Sequence, residues 1–175
     1  VHISSVLSPE IHLLFERYLG PQWYMSSRIP ENIQRIDEIF DEELWRAHDM
    51  SRSRLIRTVR ELLVKQYSRR NAPVSTIREL ETVLDQDTLT IAFARRFATY
   101  KRANLLLRDP DRLHNIINSK KQPVQFIFAG KAHPKDHEGK ELIKNLLHFA
   151  RKENLRHKLV FLEDYDLHTA RHLVQ

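Results

Sequence analysis

Three places in the chain gather charged side chains, and the first two of them carry cations able to handle an anion. The first holds Arg95, Arg96, Tyr100, Lys101 and Arg102, with an Arg-Arg-x4-Lys spacing. The second holds Gly130, Lys131 and His133, and the third Glu163, Asp164 and Tyr165. Arginine grips an oxyanion through two parallel N–H donors, and lysine adds a mobile point charge. A phosphate or a similar oxyanion is the ligand such a set would take.

Each group directly follows a short, dense apolar run: Leu89 to Ala94, Val124 to Ala129, and Leu159 to Leu162. The runs open at Leu89, Val124 and Leu159, at a constant interval of 35 residues. Their length and density predict buried strands. Between them, Tyr100 to Ile117 and Lys140 to Lys152 read as helices, the second with Leu142, Ile143, Leu146, Leu147 and Phe149 as its apolar face. This alternation predicts an α/β fold with a parallel βαβαβ sheet from about residue 85. Ligands of open parallel sheets bind beyond the carboxyl ends of the strands, where all three groups fall. Any one of these charges alone reads as a solvated loop residue. Two strands that end in cations on one sheet edge, with helix N-termini close by, build an oxyanion site.

Upstream, Ser8-Pro9-Glu10 signals a helix start and Gly20-Pro21 its end, with a loop expected to Pro30. From Asp41 a helical stripe runs through Leu44, Trp45, His48, Met50, Leu55, Ile56, Val59, Leu62, Leu63, Gln66 and Tyr67, uninterrupted before Asn71-Ala72-Pro73. It predicts one long helix over 41–69, about 40 Å in length. The shift in composition there predicts a domain junction, with residues 1–40 closing one domain and 41–175 opening another.

Composition removes several classes. With 41% hydrophobic and 30% charged residues the chain reads as a soluble folded protein, and no apolar run approaches the length of a membrane span. There are no cysteines, which excludes a disulfide scaffold and a thiol nucleophile and fits the cytoplasm. Only Gly20, Gly130 and Gly139 are glycines, so neither a Walker loop nor a GxGxxG turn can be written. The net charge of +6 is dispersed among 23 acidic residues, without the Lys/Arg run of a nucleic-acid tail. The chain opens at Val1 without an initiator methionine and reads as a fragment.

Phe93 to Ala103 (FARRFATYKRA), Phe126 to Lys144 (FIFAGKAHPKDHEGKELIK) and Val160 to Gln175 (VFLEDYDLHTARHLVQ) resemble the glycogen and α-glucan phosphorylase family. Val1-His2-Ile3-Ser4-Ser5 is similar to a segment of its shorter bacterial and archaeal type. The resemblance implies a GT-B-type enzyme, in which two Rossmann-like domains face each other across a cleft. It also implies transfer of glucose from an α-1,4-glucan to inorganic phosphate, giving glucose 1-phosphate, with pyridoxal phosphate as cofactor and a homodimeric whole enzyme.

By that pattern Arg96 resembles the arginine that binds the substrate phosphate, and Lys101 the lysine that joins it. Arg95 stands where the family has a cation near the cofactor phosphate, and Tyr165 resembles the tyrosine near the cofactor ring. Tyr100, Gly130, Lys131, His133 and Glu163 complete the expected phosphate and substrate region. Two phosphates brought together repel strongly, which accounts for a cluster of cations. Asp166 departs from the Glu-Asn-Tyr-Arg of animal enzymes, and Val6 stands where tryptophan is expected. The family's Schiff-base lysine lies in a later Glu-Ala-Ser-Gly-Thr-x-Gly-Met-Lys type motif, so this stretch alone is expected to be inactive.

Other readings compete. His133, Asp136 and His137 suggest a metal site, but their spacing matches no standard ligand set, and none is expected. Glu163 and Asp164 suggest a glycosidase pair, though adjacent strand-end residues point apart. Arg52, Arg54, Arg57, Arg60, Lys65, Arg69 and Arg70 suggest a nucleic-acid surface, against the plainer reading of a solvated helix face. A GT-B transferase using sugar nucleotides is the nearest rival, because it too presents cations at strand ends.

Overall fold

The computed structural model describes Ile3 and residues 6–21, 23–25 and 34–175. Val1, His2, Ser4, Ser5 and most of the loop expected up to Pro30 lie outside the described residues. The chain forms two compact units, Val1–Leu55 with Arg171–Gln175, and Ile56–Ala170.

In the first unit, α1 (Pro9–Leu19) begins where Ser8 Oγ accepts the Ile11 N–H at 3.2 Å. Pro9 follows, at a position that needs no N–H donor. The helix ends at Gly20, whose φ of 89° suits glycine alone. Leu14 packs with Ile39 and Ala47 in a small core, flanked by Ile11, Phe15 and Tyr18. The long helix expected over 41–69 is α2 (Asp41–Ser68), 28 residues that open with Asp41, Glu42 and Glu43 at the positive end of the helix dipole.

The second unit contains α2 from Ile56 onward, α3 (Val74–Leu80), β1 (Leu89–Ala94), α4 (Pro110–Ile117), β2 (Val124–Ala129), α5 (His137–Lys152), β3 (Leu159–Leu162) and the part of α6 (Leu167–Val174) up to Ala170. The three strands form a parallel sheet in the order β1-β2-β3, pairing Leu89 with Val124 and Phe126 with Leu159. The expected α/β fold with its βαβαβ order is therefore present, but only β2 and β3 are buried as expected: β1, at the sheet edge, is largely exposed, Leu89 and Ile91 included. One sheet face carries Phe126, Phe128, Leu159 and Phe161 into a core with Leu113 and Ile117 of α4 and Leu146, Phe149 and Ala150 of α5. By alternation Ile127, Val160 and Leu162 serve the other face, and all three are buried. Ile56, Val59 and Leu63 form one buried stripe of α2.

Tyr100 to Ile117, expected as one helix, is broken into 3-10 turns at Thr99–Lys101 and Ala103–Arg108 followed by α4. Arg102 takes a left-handed backbone (φ 56°, ψ 34°) that no right-handed helix accommodates. Pro110 then forces Asp109 out of the helical region, to φ −128° and ψ 81°. Asp109 uses that position to cap α4, accepting the Arg112 N–H at 3.0 Å.

Candidate active site

The parallel register continues past the ends of β1 and β2. Arg95 donates its N–H to Ala129 O at 3.1 Å, Phe97 donates to Lys131 O at 3.0 Å, and Phe97 pairs with Ala132 as an isolated bridge. This register sets Arg95 level with Gly130 and Arg96 level with Lys131. Both arginines are exposed and form no ion pair among the described residues. Two cationic strand ends thus share one edge of the sheet, as the sequence predicts.

Glycine is required at two points of that edge. A Cβ on Gly130 would lie 2.1 Å from Arg95 O and 2.9 Å from the Phe97 ring. One on Gly139 would lie 2.4 Å from Phe97 O. The absent side chains let the β2 end close on the backbone just before Arg96 and the first turn of α5 on the backbone just after it. Asp136 caps α5 by accepting the Gly139 N–H at 2.8 Å. Phe97 is fully buried beneath, in edge contact with Phe161 at 5.5 Å between ring centroids.

Beyond Phe97 the chain projects outward. Tyr100 is 73% exposed, and Lys101 Nζ lies 4.7 Å from the centre of its ring. The turn Thr99–Lys101 packs against α5.

The β3 end is organised differently. Gln66 of α2 donates through Nε2 to Phe161 O at 3.2 Å and accepts the Glu163 N–H on Oε1 at 3.0 Å. These are the two main-chain groups a further parallel strand would bond, so one side-chain amide completes the ladder there. Arg70 pairs with Glu163, and Arg69 with Asp164 at 2.7 Å. The other Asp164 oxygen lies 3.5 Å from Lys131 Nζ, linking the β2 and β3 ends. Glu163 and Asp164 are thus held by cations near the end of α2. Tyr165 follows, half-buried, and Asp166 caps α6 by accepting the Thr169 N–H at 2.8 Å. That bond, with a second from the Thr169 side chain, holds the Asp166 carboxyl below its usual range. A cavity of about 280 Å³ opens here, lined by Gln66, Arg69, Glu163, Asp164, Asp166 and Thr169 among others. A larger hollow of about 1040 Å³ lies by Leu89 and Val124, at the opposite ends of the strands.

His133 Nδ1 accepts the Lys135 N–H at 3.2 Å in the turn before α5. Among the described residues no group of three or more His, Cys, Asp or Glu side chains could hold a metal ion. Of the seven cations read as a nucleic-acid surface, five have structural partners: Arg52 with Asp49, Arg54 with Glu10, Arg60 with the carbonyls of Val83 and Leu84, and Arg69 and Arg70 as above. Gln66 was legible only as a member of the apolar stripe; a polar residue on a buried stripe was the available signal. Among the described residues no helix is long and apolar enough to cross a membrane.

No family model matches the chain. Among curated proteins it is 36% identical over its full length to a glycogen phosphorylase of Aquifex aeolicus, spanning 25% of that protein. It is 38% identical over 99% of its length to a maltodextrin phosphorylase of Thermococcus litoralis, spanning 20% of it. A glycogen phosphorylase of Mycobacterium tuberculosis matches 88% of the chain at 38% identity, over 19% of its own length. The chain spans a quarter or less of each of these relatives, and it belongs, as a matching segment, to the glycogen and maltodextrin phosphorylase family.

Proposed function

We propose that the protein acts as an α-1,4-glucan phosphorylase, transferring glucose from the glucan end to inorganic phosphate and releasing glucose 1-phosphate. In this reading residues 1–40 close the first domain of a GT-B enzyme and 41–175 open the second. The observation that carries it is the pair Arg95 and Arg96, exposed at a parallel strand end without a carboxylate partner among the described residues. Uncompensated guanidiniums at such an edge are suited to an incoming oxyanion.

Arg96 binds the substrate phosphate and Lys101 adds the second charge. Lys131 is drawn toward Asp164, so its contribution to the anion is smaller. Tyr100 and Gly130 shape the edge. The donor set also fits the phosphate of pyridoxal phosphate: Arg95 would hold that group, and Tyr165 would stand near the ring. When bound, the cofactor supplies a phosphate that exchanges a proton with the substrate phosphate. The chain's own residues bring two anions together and offset their repulsion, which is where charged donors lower a barrier most.

The test is kinetic. In the intact enzyme Arg96→Ala and Lys101→Ala should each cost about 2 kcal/mol or more in kcat/KM for phosphate. Native rates in both variants would remove the assigned roles.

A further inference from the structure

Four described residues other than glycine have a left-handed backbone: Asn71, Leu84, Arg102 and Asn154. Asparagine tolerates this conformation. Leu84 is tied into it, donating its N–H to His157 O at 2.8 Å while Arg60 bonds the carbonyls of Val83 and Leu84. Arg102 is neither asparagine nor gripped by another side chain, and it directly follows Lys101.

Its conformation solves a chain-path problem. Phe97 and Ala103 are buried in the same core, so the chain must leave that core after Phe97 and return within a few residues. The outward leg is the turn closed by Lys101 N–H to Ala98 O and Arg102 N–H to Thr99 O, both at 3.0 Å. The left-handed residue then reverses direction, and the Leu105 N–H bonds Arg102 O at 3.1 Å to start the return. A right-handed residue at 102 would extend the first turn and carry Ala103 away from its buried place.

We infer that the left-handed backbone of Arg102, and not its charge, is a positioning element that holds Lys101 at the phosphate edge. The inference rests on the phosphate-site reading above. Strain kept beside a binding group in this way is a recurrent feature of functional loops.

Three variants of the intact enzyme separate backbone from charge. Arg102→Gly, Arg102→Asn and Arg102→Val all remove the guanidinium, but only the first two readily adopt the left-handed region. Glycine and asparagine should keep the KM for phosphate within about threefold of native, and valine should raise it about tenfold as the competent loop becomes less populated. The KM for glucan should stay constant in all three, which a general loss of structure would not allow. Melting temperatures identify any misfolded variant. Should valine fail to fold, Arg102→Ala takes its place with a smaller rise expected. Equal rises in the glycine, asparagine and valine variants would overturn the inference in favour of the charge. An unchanged KM in valine or alanine would overturn it as well. Lys101→Ala runs alongside: if that variant also leaves the KM for phosphate unchanged, the phosphate-site reading itself has failed and the inference falls with it.

Discussion

Arg95 and Gly130 stand so close across the strand ends that a Cβ on the glycine would meet the Arg95 carbonyl oxygen at 2.1 Å. The contact is with backbone, so no rotamer change relieves it. Gly130→Ala must therefore spread β1 and β2 just where the cations sit. The expected cost is about 1–3 kcal/mol of stability, as for other overpacked sites, with a weaker affinity for phosphate. Thermal melting together with phosphate titration of the intact protein checks both, and an alanine variant native in both respects would show that the strand ends have room to move.

Gln66 closes the outer edge of β3 with one amide. Gln66→Met keeps the size and removes both hydrogen bonds, leaving Phe161 O and the Glu163 N–H without that partner. A loss of about 1–3 kcal/mol is expected, read as a lower urea midpoint. A midpoint equal to native would mean that solvent replaces the amide at no cost.

Asp166 gives a pH signature. Its carboxyl pKa in the folded protein lies below the ordinary value of 3.8 because the Thr169 N–H and side chain bond the charged form. A depressed carboxylate stabilises the fold at pH values above its unfolded pKa, and that contribution is lost as pH falls through the folded pKa. Native protein should therefore exceed Asp166→Ala in melting temperature at neutral pH, and the gap should narrow below about pH 4. A gap independent of pH across that range would remove the charge from the cap.

Much of this was legible because strand and cap signals are local. The Leu89, Val124 and Leu159 runs became β1, β2 and β3, and Ser8-Pro9 and Gly20 bounded α1, since apolar density and backbone chemistry act within a few residues. The split of Tyr100 to Ile117 was less legible. Apolar spacing suggests a continuous helix there, whereas the left-handed turn at Arg102 is imposed by the need to bury both Phe97 and Ala103. Gln125 gives the same lesson. It is fully buried in β2, and its amide bonds the Asp85 N–H at 2.8 Å, Asp85 O at 2.7 Å and Thr90 Oγ1 at 2.7 Å, partners 40 and 35 residues away in the chain. The ion pairs of Glu163 and Asp164 with Arg70 and Arg69 likewise join segments more than 90 residues apart, a pairing no local pattern announces.

The central claim is phosphorolysis, and phosphorus NMR of the intact protein with maltoheptaose and inorganic phosphate tests it most directly. The account predicts that the inorganic phosphate signal is replaced by that of α-glucose 1-phosphate, and that Arg96→Ala slows this conversion by at least about thirtyfold. An unchanged phosphate signal, with glucan elongation instead observed from a sugar nucleotide, would contradict it.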